Sequence, residues 1–181
     1  ANGYLIDQFL RESTNLRTDG YGGSPQNRIR FALEVVDAVA AEIGAGRTGI
    51  RLSPVSSVND SAESQPQAVF GPLVEALNQR GIAFIHFVEG STGGPRDLTG
   101  FDFAWARQTF KGAYIANNGY TRDMAIDAIA SGSADAVAFG RAYISNPDLV
   151  QRLKANAPLA KAHSSTFYVP GPEGYIDYPT M

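Results

Sequence analysis

Four short apolar runs set the limits on what this chain can fold into: Thr48-Gly49-Ile50-Arg51-Leu52-Ser53, Ile82 to Val88, Ala113 to Asn117, and Ala136 to Phe139. Each is four to seven residues long and mostly apolar, which predicts strands buried on both faces. Amphipathic segments separate them. Ser24-Pro25 starts the first helix, because Ser caps and Pro is preset for the first helical position; Ile29, Leu33, Val36, Val39 and Ile43 follow at helical spacing, and Gly44 closes it. A second helix lies within Gln67 to Arg80, its start left open by Gly71-Pro72, with Leu73, Leu77 and Val69 predicted on its buried face. Further helices are predicted from Phe101 to Phe110, from the capping Thr121 to about Ser131, and from Pro147 to Ala155. This alternation specifies an α/β protein with a parallel sheet and helical crossovers. Two architectures fit: a small open doubly wound sheet, or half of an eight-stranded (β/α) barrel.

Composition removes several classes of function. The 181 residues suffice for one domain, and 44% hydrophobic residues suffice for a core. A net charge of −3 with scattered Lys and Arg argues against nucleic-acid binding. No apolar run approaches the roughly 20 residues of a membrane-spanning helix and no charged leader is present, so a cytoplasmic location is expected. Zero cysteines exclude disulfides, thiolate nucleophiles and thiolate metal sites. His86 and His163, far apart in sequence, make a poor metal site, and none is expected.

In either architecture ligands bind at the carboxyl ends of the strands. The third run ends in Asn117-Asn118-Gly119-Tyr120 and the fourth in Phe139-Gly140-Arg141. Glycine allows close backbone approach and arginine supplies a fixed cation, a combination suited to a phosphate. The alternative is ordinary turn glycines with Arg141 in a surface ion pair. Arg51, at the end of the first run, calls either for an anionic or electron-rich ligand or for an internal carboxylate such as Asp60 or Glu89. The lysines, Lys111, Lys154 and Lys161, stand away from strand ends, which argues against Schiff-base chemistry.

A family resemblance adds to this reading. The segments Ala1-Asn2-Gly3-Tyr4-Leu5-Ile6-Asp7-Gln8-Phe9-Leu10, Asn15-Leu16-Arg17-Thr18-Asp19, Tyr21-Gly22-Gly23-Ser24 and Asn27-Arg28-Ile29-Arg30-Phe31 strongly resemble the old yellow enzymes, the FMN-dependent ene-reductases. The likeness continues through Gly49 to Pro54, Ala138 to Arg141, Ser145 to Leu149 and Gly174 to Pro179, in the family's order. It implies a TIM (β/α)8 barrel of which residues 1 to 181 form the second half, strands five to eight with their helices, as the C-terminal half-barrel of a single FMN-binding domain. The N-terminal half is expected outside this chain, with the first member of the His-x-x-His/Asn pair two residues before Ala1.

Position by position, the resemblance makes Asn2 the second member of that pair, which hydrogen-bonds the substrate's carbonyl or nitro oxygen, and Tyr4 the proton donor. A phenol, with a pKa of about 10, suits protonation of the carbanion-like carbon left by hydride addition; the plainer alternative for Tyr4 is a buried ring packing the first helix. Arg51 is implied beside the flavin's N1 and C2 oxygen. Asn118, Gly119, Gly140 and Arg141 match the phosphate cradle, Phe167 and Tyr168 the aromatic pair near the dimethylbenzene edge and substrate mouth. Val55 to Gln67 follows no family pattern, which leaves Asn59 as a candidate substrate contact there. The implied activity is reduction of activated C=C bonds in enones, enals, maleimides and nitroalkenes, with FMN as cofactor, NAD(P)H as reductant, and a second chain or segment carrying strands one to four as partner. Two rivals stand beside it: an isolated, non-catalytic half-barrel that self-associates with or without FMN, and an unrelated phosphate-binding isomerase or synthase.

Overall fold

The computed structural model describes all residues from Ala1 to Met181. A short helix, α1 (Leu5–Leu10), precedes the long α2 (Pro25–Ile43), which starts as its sequence predicts: the Ser24 hydroxyl accepts from the Asn27 N–H at 3.3 Å. Then follow β1 (Gly49–Leu52), α3 (Pro66–Gln79), β2 (Phe84–Val88), α4 (Phe103–Thr109), β3 (Ala113–Asn117), α5 (Arg122–Ala130), β4 (Ala136–Ala138), α6 (Arg141–Ser145) and α7 (Leu149–Ala155). Helix α3 runs through Pro72 without a break, starting on Pro66. The lost hydrogen bond and ring clash of an internal proline are offset by seven buried residues on this helix, among them Val69, Phe70, Leu73 and Leu77.

All strands are parallel and lie in the order β1-β2-β3-β4, with Ile50 opposite Ile85, Ile85 opposite Tyr114, and Ala116 opposite Val137. This order bears on the two architectures that the sequence leaves open. A doubly wound sheet reverses its strand order at a switch point, whereas here every crossover moves one place in the same direction, as in an arc of a barrel.

The helices cover one face of the sheet. Ile50, Leu52, Ile85, Phe87, Tyr114 and Ala116 point into a core completed by α2, α3 and α4, where the rings of Phe87, Phe101 and Phe103 meet at 5.0 to 5.8 Å. The other face carries Gly49 and Arg51, both exposed, and the half-buried Phe84, His86, Ile115 and Asn117. The expectation of strands buried on both faces is thus corrected, because helices pack on one side only. Neither β1 nor β4 has a strand on its outer edge. Beyond β4, a groove of about 1040 Å³ opens between α5 and α7, lined by Ile126, Ile129, Val137, Tyr143, Val150 and Leu153. The predicted stripe on α2 is buried only at Ile29 and Val36; Val39 and Ile43 are exposed at the helix's far end.

A buried ion pair fixes α1 to β1. Arg11 and Asp7 are both essentially inaccessible and meet at 3.1 Å. Arg11 also donates to the Pro54 carbonyl at 2.8 Å and to the Ser53 carbonyl, and stands over the Phe70 ring at 5.0 Å. The other Asp7 oxygen accepts from the Gly3 N–H at 2.9 Å. Removing one partner of such a pair strands a buried charge. Arg11→Ala is therefore expected to cost roughly 3–5 kcal/mol, read as a lower urea midpoint. Arg80→Ala, which breaks a solvent-facing pair with Asp37, is expected to shift the midpoint far less.

Candidate active site

The carboxyl ends of the strands open into a cleft of about 910 Å³. Its walls include Arg51, Asn117, Asn118, Gly119, Gly140, Arg141 and Phe167, seven positions from four separate stretches of sequence. Gly93, Gly94, Lys161 and Ser164 also line it.

Three cations, Arg51, Arg141 and Lys161, face this space, and no Asp or Glu lines it. Arg51 pairs with neither Asp60 nor Glu89; its one side-chain partner is Asn117 Oδ1, at 3.1 Å. Asn117 in turn donates to the Ala138 carbonyl at 2.7 Å, so it bridges the inner face from β1 to β4. Partial burial lowers the Arg51 pKa from its ordinary value, the mark of a cation without a counter-ion. A Cβ built on Gly119 or Gly140 meets no atom within 4 Å, and Gly119 has φ +69°. These turns are open to a ligand rather than packed against protein.

Asn118 lines the cleft, but its amide donates to the carbonyls of Glu89 at 2.8 Å and Ser91 at 3.0 Å. No side-chain donor is left for a phosphate, so any contribution comes from its main chain. Glu89, which the sequence offered as a partner for Arg51, instead accepts from Tyr114 at 2.8 Å and Tyr120 at 2.7 Å and pairs with Arg96. Burial first, then the adjacent carboxylate, raises both phenols above their ordinary pKa. The buried carboxylate thereby ties the β2 loop to the Asn118-Gly119-Tyr120 turn.

Neither Asn2 nor Tyr4 is among the residues that line the cleft. Asn2 (φ 58°) and Gly3 (φ 74°) form a left-handed turn, closed by the Tyr4 N–H on the Ala1 carbonyl at 3.2 Å. Only glycine fits at position 3, since a Cβ there would stand 2.7 Å from both Asn59 Cβ and the Val58 carbonyl oxygen. Asn2 N–H donates to Ser53 Oγ at 2.8 Å, and Asn59 Nδ2 donates to the Asn2 carbonyl at 2.9 Å. The loop from Val55 to Gln65 is fastened to the segment after α1 through Ser13 with Asp60 and Ala62, and Glu12 with Ser64. Tyr4 is 70% exposed at the start of α1, which rules out the buried-ring alternative. Tyr168 is 98% exposed, with φ 60°, and lies outside the cleft walls.

Sequence reasoning passed over the clamp that brings the C-terminal segment to the cleft. Buried Asn146 exchanges hydrogen bonds with Ala160, N–H to Oδ1 at 2.8 Å and Nδ2 to the carbonyl at 3.1 Å, and Ser145 adds a third at 2.7 Å. That carries Lys161, Ser164 and Phe167 into place. The Gly90-Ser91-Thr92-Gly93-Gly94 loop was also missed, although a third glycine-rich strand end was visible in the sequence.

His163 stacks on Tyr178, while His86 stands beside Arg51 on the inner face with its Nε2 buried and unpartnered. Burial, then the Arg51 charge, lowers its pKa to about 4. The unfolded chain, with an ordinary histidine near 6.5, therefore binds more protons between those values. Stability contributed by neutral His86 is complete above about pH 6.5 and is lost as pH falls through about 4. His86→Leu should flatten that part of the pH dependence of the urea midpoint relative to the unaltered chain.

The chain resembles known proteins throughout its length. A family model described as NADH:flavin oxidoreductase / NADH oxidase matches residues 1–160. The chain is 47% identical over 189 residues to 12-oxophytodienoate reductase 2 of Arabidopsis thaliana, covering all of this chain and 49% of the relative. It superposes on the old yellow enzyme homologue of Zymomonas mobilis with a TM-score of 0.93 at 42% identity, covering 99% of this chain and 51% of the other. On morphinone reductase in complex with tetrahydroNAD the TM-score is 0.91 at 43% identity, covering 100% and 48%. The chain thus spans about half the length of the relatives it matches. With the model matched over most of its residues, the chain belongs to the NADH:flavin oxidoreductase / NADH oxidase family.

Proposed function

We propose that this chain is the strand-five-to-eight half of an FMN-binding (β/α)8 barrel that reduces activated C=C bonds, completed by a second chain or segment carrying strands one to four. The observation that carries this reading is the cleft with three cations and no carboxylate at the carboxyl ends of the strands. Its residues fit FMN. Arg141 with the open Gly119 and Gly140 turns suits the phosphate, Arg51 suits the electron-rich end of the ring, and Phe167 offers an apolar face at the other end. FMN, reduced by NAD(P)H, would supply the hydride that adds to the β-carbon of an enone, enal, maleimide or nitroalkene.

The remaining work falls to this chain's side chains. Asn2 donates to the substrate's carbonyl or nitro oxygen, withdrawing electron density from the alkene and fixing its orientation. Tyr4, exposed at the start of α1, delivers the proton to the α-carbon from its hydroxyl. Tyr168 is assigned to the substrate mouth. Need for a complementary half is supported by the two strand edges without neighbours, the uncovered inner face, the apolar groove beyond β4, and the half-length match to relatives.

Mixing the chain with a four-stranded complement and FMN should yield a yellow complex containing both chains. A colourless species made of this chain alone would favour the self-associating, non-catalytic half-barrel. In the yellow complex, Tyr4→Phe should slow alkene reduction by about a hundredfold or more while sparing FMN reduction by NADPH. Equal loss of both half-reactions in stopped-flow absorbance would remove Tyr4 from the proton-donor role.

A further inference from the structure

The side-chain amide of Asn2 is held in one orientation by a directional relay of hydrogen bonds. Asn2 Oδ1 accepts from the Thr92 hydroxyl at 3.0 Å. Thr92 Oγ1 accepts from the Ser56 hydroxyl at 3.0 Å, and Ser56 Oγ accepts from the Thr92 backbone N–H at 3.1 Å. A backbone N–H can only donate, which fixes the sense of the first link. Ser56 is 1% exposed, and Thr92 supplies both of its side-chain partners. A buried hydroxyl hydrogen needs an acceptor, so that of Ser56 goes to Thr92 Oγ1. The Thr92 hydrogen is then directed to Asn2 Oδ1.

We infer that Thr92 and Ser56 are positioning residues that hold the Asn2 amide with its NH2 end toward the substrate. Oδ1 is occupied by the relay, which leaves Nδ2 free to donate to a ligand. Nδ2 is a donor only, so the free end of Asn2 selects ligands that present an acceptor oxygen. A flipped amide would set Oδ1 against that oxygen and repel it. The backbone of Asn2 cannot relieve this by shifting, because Ser53 and Asn59 hold its N–H and carbonyl. The loop delivering Thr92 also delivers Gly93 to the cleft wall, so the same segment sets the substrate-facing amide and the cavity.

This inference rests on the proposed role of Asn2, but its structural part can be tested apart from it. In the 15N-labelled chain, Thr92→Val, which removes the donor to Oδ1, should shift the Asn2 side-chain amide resonances, and Thr92→Ser should keep them near their original positions; amide resonances unmoved by Thr92→Val would overturn the relay. In the FMN-loaded assembly with cyclohexenone, Thr92→Val should raise KM about three- to tenfold, the weight of one net hydrogen bond. FMN reduction by NADPH should be unchanged, and Thr92→Ser, which keeps the hydroxyl, should restore KM. A KM unaffected by Thr92→Val, or not rescued by Thr92→Ser, would overturn the positioning role. An assembly inactive in every form would refute the proposed function, and the Asn2 amide resonances would still decide the relay.

Discussion

The buried Arg11–Asp7 pair holds the two halves of the candidate site together. Asp7 fastens the Gly3 N–H, and with it the Asn2–Tyr4 turn; Arg11 fastens the Ser53 and Pro54 carbonyls at the end of β1. A helix of six residues is too short to be stable by itself. It persists because Arg11 donates to carbonyls at the end of β1 while Asp7 accepts from Arg11 and from the Gly3 N–H ahead of the helix. Without that pair, the Asn2–Tyr4 turn would keep only its Ser53 and Asn59 hydrogen bonds to the end of β1 and the loop that follows.

The remaining polar contacts repeat this design at each strand end. Glu89 collects two phenols and a guanidinium and so couples the loop after β2 to the turn after β3. Asn146 grips the backbone at Ala160 and brings in the C-terminal segment. Charged groups that serve structure are neutralised within these networks, whereas Arg51, Arg141 and Lys161 are left without carboxylates in the cleft. Separating paired structural charges from unpaired ones leaves the cavity with uncompensated positive charge.

Much of the fold was legible because its signals are local. Ser24-Pro25, Thr121 and the four apolar runs each specify their element through backbone preference and side-chain period, and β3 falls on the residues its sequence indicates. The prediction failed where long-range contacts decide. Gly71-Pro72 left the start of α3 open, and seven buried residues carry the helix from Pro66 through Pro72; the far end of the α2 stripe is exposed. In the site, Arg51, Gly119, Gly140 and Arg141 stood out as strand-end residues, and they do converge on one cleft. Asn118 was read as a cradle residue, yet its amide serves the neighbouring loop. Asp7 and Asn146 stood only within segments of family likeness, and Arg11 and Thr92 in none, since a polar side chain's partner cannot be inferred from its spacing along the chain.

The sequence by itself determined the alternation of strand and helix, the parallel sheet, the absence of thiol chemistry and the family likeness, because these depend on residue type and local order. Only the tertiary structure decided that the strands run in one unreversed order, that one face of the sheet is open, which arginines are paired, and which end of the Asn2 amide is free. Those outcomes depend on groups distant in sequence competing for the same space and the same hydrogen bonds, and that competition is resolved only when the chain is folded.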